Sequence, residues 1–352
     1  MMSRIVKANL LAPYTTTASK KYHCSFRNSC RYLSVSSSSP CNDESSKPRS
    51  IRTVGTVGQG LMGHGITQIA AASPHVVSVV AYDPSGIPAL DAGRDRISSS
   101  LDKMVSRGKM TPEDAEAMLG KIIFTKDMDA FSPSAGGTDI VIEAIIEDLD
   151  IKKNFYRDLD SQCHSQTIFA SNTSSLSVGD MAAAVSSERR QRFVGIHFFN
   201  PVQMMKLVEI VRTSDVDIEA VNAVMQFCEN IDRKAVLCAD TPGFVVNRLL
   251  VPFLVQAMEM LDRGDVAGGP RDIDACMKLG AGHPMGPLHL ADYIGLDTLK
   301  FILDGWIARY PDNSNFSMPD CLVEKVKSGH LGRKVGKGFY YWNGGKRGDP
   351  VV

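Results

Sequence analysis

Ile51-Arg52-Thr53-Val54-Gly55-Thr56-Val57 reads as a short buried strand, and it runs directly into Gly58-Gln59-Gly60-Leu61-Met62-Gly63. An apolar strand that ends in G-x-G-x-x-G and then opens into a helix has the form of a dinucleotide-binding turn. Gly58 makes the tight turn, Gly60 lets backbone approach a pyrophosphate, and Gly63 lets the following helix pack against the strand. With Gln59, Leu61 and Met62 they form the candidate cofactor loop. Its free amides and the positive end of the helix dipole suit a pyrophosphate without any Lys or Arg.

The flanking sequence agrees with that reading. A helical stretch carries Leu61, Met62, Ile66, Ile69 and Ala70, and Val76 to Tyr82 reads as the next parallel strand. That strand ends in Asp83, twenty residues after Gly63. A carboxylate there accepts hydrogen bonds from ribose hydroxyls and repels a 2′-phosphate, so NAD is favoured over NADP.

Farther out, Pro84 to Lys126 is helical in pattern, with Pro112 opening a second helix after Thr111. Apolar runs return at Asp139 to Ile146, Thr167 to Ala170, Phe193 to Phe199, Leu207 to Val211 and Ala235 to Cys238. Strands alternating with helices give an α/β fold with a Rossmann-type doubly wound parallel sheet, expected over 51–240 with a helical insertion at about 84–126. Beyond Asp240 the pattern becomes helical, and 241–345 reads as an all-helical C-terminal domain. There Gly243 to Leu261 is apolar around most of its circumference and is expected to be buried, with a kink at Pro252. Further helices are expected at Arg271 to Leu279, Gly286 to Leu303 and Asp320 to Ser328.

The first 42 residues differ in kind: they hold no Asp or Glu, while Arg4, Lys7, Lys20, Lys21, Arg27 and Arg31 lie among many Ser and Thr. That is the composition of a mitochondrial transit peptide, and Ala8 to Pro13 is too short for the apolar core of a secretory signal. A solvated tail without an address is the alternative.

Over the 352 residues, 39 basic and 39 acidic side chains cancel, so no overall field favours nucleic acid or an anionic membrane. The longest apolar run, around Leu249 to Val255, falls far short of the roughly 20 residues that cross a bilayer. The eight cysteines are scattered without C-x-x-C, which shows neither a metal-ligand spacing nor a disulfide framework.

Four strings then coincide: Ser171-Asn172-Thr173-Ser174-Ser175-Leu176, His197-Phe198-Phe199-Asn200-Pro201, Lys206-Leu207-Val208-Glu209, and Asp240-Thr241-Pro242-Gly243-Phe244-Val245-Val246-Asn247-Arg248. Lys278 to Gly282 and Pro284 to Pro287 follow them. In this order, behind the glycine turn, they resemble the L-3-hydroxyacyl-CoA dehydrogenase family from about Arg52 to Trp342. The resemblance implies NAD-dependent oxidation of an L-3-hydroxyacyl-CoA to the 3-ketoacyl-CoA in fatty-acid β-oxidation, in the mitochondrial matrix, by a homodimer.

Oxidising a 3-hydroxyl removes a proton from oxygen and a hydride from carbon, so a base must reach the hydroxyl. His197 suits that base, since an imidazole titrates near ~6.5 and can take the proton forward and return it. Glu209 can hold the imidazole by its other nitrogen, as a carboxylate does in hydrolase triads. Ser174 and Asn247 would supply neutral hydrogen bonds to the reacting oxygen and the thioester. By the same resemblance Glu147, Lys152, Ser174, Asn200 and Lys334 would touch the cofactor, and Ser100, Arg107 and Ser174 the coenzyme A substrate. Family members often carry Lys where Arg107 stands and a small residue where His64 stands, and His64 reads as a helix-surface residue.

Taken singly these residues admit plainer readings. A His at a strand end can be a satisfied partly buried side chain, Glu209 an edge-strand charge, and Asn247 a helix N-cap. The choice of Ser174 over Ser171 or Ser175 rests on the resemblance. Two other functions stay open: a related sugar-acid dehydrogenase of the L-gulonate type, and a non-catalytic protein that binds NAD or CoA.

Overall fold

The computed structural model describes residues 50–351, so the transit-peptide expectation for 1–42 lies outside the described residues. The described residues open with β1 (Thr53–Val57), α1 (Gly63–Ala72), β2 (Ser78–Tyr82), α2 (Ile87–Ser106), α3 (Pro112–Gly120) and β3 (Ile122–Thr125). It continues through β4 (Ile140–Glu143), α4 (Leu149–Gln162), β5 (Ile168–Ser171), α5 (Val178–Ala182), α6 (Ser187–Arg190) and β6 (Phe193–Phe198). Then come β7 (Leu207–Arg212), α7 (Ile218–Asn230) and β8 (Lys234–Ala239).

These eight strands form one sheet in the order β3-β2-β1-β4-β5-β6-β7-β8. Its central strands are apolar on both faces, as strands must be when helices cover both sides. Val57 pairs with Tyr82 on one side and Glu143 on the other, so Gly58, Asp83 and Ala144 emerge together at the carboxyl edge. The chain order turns back between β1 and β4, which opens the crevice where doubly wound sheets bind ligands. On one face Ile66, Ile69, Ile97, Leu101, Val221 and Phe227 pack against the sheet. The other face carries an aromatic cluster in which the Tyr156 and Phe193 rings lie 4.6 Å apart.

Two expectations about the sheet need correction. The stretch 84–126 is not helical throughout: Ile122–Thr125 forms β3, an edge strand parallel to β2. Only Ile122 of its four residues is buried, so the run carries little of the apolar signature that marks a central strand. The sheet is also not parallel throughout, because β7 runs antiparallel to β6, with β8 parallel to β7. The short connection between β6 and β7 leaves no room for a crossover helix, and an antiparallel turn is what such a connection allows.

The rest of the chain is α8 (Val246–Asp262), α9 (Pro270–Ala275), α10 (Pro287–Ile294), α11 (Leu296–Arg309), α12 (Asp320–Lys327) and a hairpin of β9 (Tyr340–Asn343) with β10 (Lys346–Pro350). The expected Gly286 to Leu303 helix is two helices, broken at Gly295, whose φ of 107° is open to glycine and closed to most other residues. Nor is α8 buried all round. Val251, Leu254, Val255, Ala257 and Met258 form its inner stripe against α10 and α12, whereas Leu249 is 71% exposed. Neighbours cover one side of this helix only. It passes through Pro252 as a single helix.

Two buried aspartates tie the hairpin to the helices. Asp292 accepts from the Phe339 and Tyr340 amides at 2.7 and 2.9 Å and from the Trp342 indole at 2.9 Å. Asp274 accepts from the Tyr340 hydroxyl at 2.6 Å and the Leu288 amide at 2.8 Å. Burial pushes both carboxyls above their ordinary range, more than these bonds pull them down. No helix among the described residues is long and apolar enough to cross a membrane.

Candidate active site

The glycine loop sits at the carboxyl edge of β1. Gly58 has a φ of 83° and donates its N–H to the Tyr82 carbonyl at 2.8 Å. A Cβ on Gly63 would lie 1.6 Å from the Gly58 carbonyl oxygen, whereas one on Gly60 would meet nothing within 4 Å. The loop is therefore packed from below at Gly58 and Gly63 and open outward at Gly60. The first turn of α1 has no acidic residue and no side-chain cap, which suits an anion at this end of the helix.

Gln59 turns its side chain inward and is fully buried, with Oε1 accepting from Thr67 at 3.0 Å. Its own amide donates to Asp83 Oδ2 at 2.6 Å, and Asp83 Oδ1 accepts from the Ser85 amide at 2.9 Å. Asp83 thus braces the loop as well as standing at the end of β2. A carboxylate oxygen has two lone pairs, so each retains one acceptor site for a ribose hydroxyl. Leu61 is exposed and Met62 half-buried at the mouth. His64 donates from Nδ1 to the Gly60 carbonyl at 2.6 Å, which ties it to the loop instead of leaving it free on the helix surface. These features fit a bound dinucleotide.

The antiparallel register of β6 and β7 places His197 directly opposite Glu209. His197 Nδ1 donates to Glu209 Oε2 at 2.8 Å, and both side chains are buried. The other carboxylate oxygen accepts from the Val245 and Val246 amides at 3.1 and 2.8 Å. Burial acts to raise the Glu209 pKa, but the hydrogen bonds from His197, Val246 and Val245 outweigh it and hold the carboxyl below its ordinary range. Phe199 and Phe244 flank the imidazole, with ring centroids 4.5 and 5.7 Å away. An imidazole held by a carboxylate at Nδ1 keeps Nε2 as its proton acceptor.

Ser174 and Asn247 come together beside this pair, Asn247 Nδ2 donating to the Ser174 carbonyl at 3.4 Å. Glu147 organises the serine loop. Its Oε1 accepts from the Thr173 hydroxyl at 2.6 Å and from the Ser174 and Ser175 amides at 2.9 and 3.2 Å. Its Oε2 lies 3.3 Å from Lys152 Nζ. Burial would raise the Glu147 pKa, but the Lys152 charge, the Thr173 hydroxyl and the Ser174 amide lower it overall. Lys152 is fully buried and donates to Glu143 Oε1 at 2.5 Å.

Glu143, at the end of β4, is a site residue that the sequence motifs do not mark. It also accepts from Ser171 at 2.8 Å and Tyr156 at 3.2 Å. The available signal was its place at the carboxyl end of an apolar strand, the edge where ligands bind. Asp240 was seen only as part of a motif. Its carboxylate accepts from the Ser177 hydroxyl and the Val178 and Gly179 amides at 2.9, 3.1 and 2.8 Å.

The remaining candidates are spread out. Asn200 is exposed just beyond β6, and Ser100, half-buried on α2, accepts from Gln68 at 3.0 Å. Arg107 is exposed at the C-terminal end of α2. Lys334 sits in the helical half with its Nζ 2.5 Å from Asp297 Oδ2.

The chain matches known proteins over most of its described length. The family model described as 3-hydroxyacyl-CoA dehydrogenase, NAD binding domain, matches residues 53–241, and that of the C-terminal domain matches 243–342. The mitochondrial hydroxyacyl-coenzyme A dehydrogenase of Rattus norvegicus is 43% identical over 293 residues, covering 82% of this chain and 91% of the relative. A 3-hydroxybutyryl-CoA dehydrogenase of Mycobacterium tuberculosis is 39% identical, covering 82% and 98%. The crystal structure of (S)-3-hydroxybutyryl-CoA dehydrogenase from Ralstonia eutropha superposes with a TM-score of 0.78 at 38% identity, covering 84% of this chain and 100% of that one. The chain belongs to the 3-hydroxyacyl-CoA dehydrogenase family, and its cofactor is NAD.

Proposed function

We propose that this member of the 3-hydroxyacyl-CoA dehydrogenase family oxidises an L-3-hydroxyacyl-CoA to the 3-ketoacyl-CoA, with His197 as general base and Glu209 as the carboxylate that holds it. The observation that carries this reading is the buried His197–Glu209 pair at 2.8 Å, facing across β6 and β7 beside Ser174 and Asn247. NAD, when bound, supplies the acceptor for the hydride that leaves C3. His197 Nε2 takes the hydroxyl proton as the C3–O bond becomes a carbonyl, and Glu209 stabilises the imidazolium that results. Ser174 and Asn247 donate to the reacting oxygen and the thioester carbonyl, fixing the hydroxyl against the base.

Gly58, Gly60, Leu61, Met62 and Gly63 hold the pyrophosphate, and Asp83 the adenosine ribose. Glu147 and Asn200 face the cofactor, with Lys152 acting behind Glu147 from its buried position. Ser100 and Arg107 meet the coenzyme A moiety, and Lys334 belongs to the cofactor side when the two halves close. Residues 1–42 direct the chain to the mitochondrial matrix, where it serves fatty-acid β-oxidation as a homodimer.

The deciding experiment follows NADH oxidation with acetoacetyl-CoA and longer homologues. Turnover that depends on the acyl-CoA and collapses in His197→Gln is expected. A purified protein that binds NADH yet turns over no acyl-CoA overturns the proposal. For the targeting claim, residues 1–42 fused to a reporter should deliver it to mitochondria, and a uniform cytosolic signal would refute it.

A further inference from the structure

We infer that Glu209 also acts away from the imidazole, since through its other oxygen it anchors the first turn of α8 and so sets the position of Asn247. This rests on the reading of His197 and Asn247 given above. The start of α8 has no cap of its own, because Val245 occupies the capping position and offers no side-chain acceptor. Glu209 Oε1 fills that role from β7, more than thirty residues earlier in the chain, taking both the Val245 and Val246 amides at 3.1 and 2.8 Å. A carboxylate at this end of a helix also opposes the helix dipole favourably.

The approach to α8 needs such a hold. Gly243 has a φ of 75°, and a Cβ there would lie 2.4 Å from the Trp306 ring. Phe244 follows with a φ of 53°, a left-handed conformation costly for an aromatic residue, and its ring packs near His197. A chain bent in this way persists only where its surroundings over-determine it. The two amides on Glu209 come directly after the bend, and Asn247 is the next residue. Its Nδ2 then reaches the Ser174 carbonyl at 3.4 Å. One carboxylate thus divides its oxygens between the imidazole and the helix that carries the substrate amide, and it acts on Asn247 as a positioning residue.

Two substitutions separate these roles. Glu209→Gln keeps a carbonyl oxygen for both amides but gives up the charge that pairs with the imidazole and the helix end, whereas Glu209→Ala removes both holds. Backbone hydrogen exchange over residues 243–250 should match wild type in His197→Gln, rise by no more than about threefold in Glu209→Gln, which keeps the acceptor and loses the charge, and run about tenfold faster than wild type in Glu209→Ala. The KM for acyl-CoA should rise about tenfold in Glu209→Ala relative to Glu209→Gln. Adding Asn247→Ala should raise it further in the Gln background but not in the Ala background.

Equal exchange in the Ala and Gln variants overturns the inference. If Glu209→Ala does not fold, Glu209→Asp replaces it: the shorter arm should speed exchange at 243–250, and wild-type exchange there overturns the inference equally. Wild-type turnover in His197→Gln would sink the catalytic assignment alone, since the exchange difference is read without turnover.

Discussion

The sheet half and the helical half each bury carboxylates, and they use them in opposite ways. Glu147 and Glu209 lie beside an ammonium and an imidazole, and both are held below the ordinary carboxylate range. Asp274 and Asp292 collect backbone amides, a phenol and an indole, with Arg347 at 3.2 Å from Asp274, and burial drives both upward. All four are well hydrogen-bonded, so bond number does not separate them. What does is the balance against burial: at Glu147 and Glu209 the hydrogen bonds and neighbouring charge outweigh it and hold the carboxyl down, while at Asp274 and Asp292 burial wins even with Arg347 beside Asp274, and these carboxyls fix a hairpin.

The sharpest test of this contrast is at the base. His197→Gln should lower turnover by about 10² to 10⁴ with little change in melting temperature. Combined with Glu209→Gln, the loss in activation free energy should fall well short of the sum of the single losses, because removing the base already abolishes what the carboxylate assists. Additive losses would mean that the wrong carboxylate has been paired with His197.

In the helical half the effects should reverse. Asp292→Ala leaves the Phe339 and Tyr340 amides and the Trp342 indole without an acceptor, and calorimetry should show a loss of about 3 kcal/mol. Turnover measured well below the melting temperature should stay near wild type. A large drop in turnover with unchanged stability would erase the distinction between the halves.

Asp83 tests the boundary, since it lies at the sheet edge yet takes only the Gln59 and Ser85 amides. Asp83→Ser should shift the ratio of kcat/KM for NAD over NADP by about tenfold toward NADP. If that ratio stays put, Asp83 only braces the loop.

Acid should separate the halves more gently. Glu147 and Glu209 have folded pKa values below their unfolded ones, so the stability they contribute is present above the ordinary carboxylate range and is lost as pH falls through the lowered values. Asp274 and Asp292 have raised values, so their contribution is complete in acid and declines as pH rises through them. On acidification, intrinsic-rate-corrected hydrogen exchange should therefore quicken about threefold more at Val245 and Val246 than at Phe339 and Tyr340. Equal acceleration at both sites would mean that the opposite shifts carry no stability consequence.

Much of this was legible in the chain itself. The strand before Gly58, the glycine spacing and Asp83 are local signals, and each falls where the sequence reading puts it. His197 and Glu209 were legible as residues, but their facing each other depends on the antiparallel turn between β6 and β7, which apolar runs do not encode. Lys152 illustrates a different limit. Its residue type suggests contact with a ligand, and only the fold reveals Glu143 beneath it. Asp292 meets its hairpin partners 47 to 50 residues away, so nothing near it announces the role.

The three glycines of the loop answer to two kinds of constraint. Gly58 and Gly63 cannot take a side chain without collision or backbone strain. Gly60 is under no such constraint: it has open space beside it, and its φ lies outside the left-handed range. Replacing it with alanine would be expected to stabilise the empty protein by about 0.4–1 kcal/mol, by narrowing the freedom of the unfolded chain. A redesign guided by thermostability alone would discard that glycine early and lose the cofactor with it.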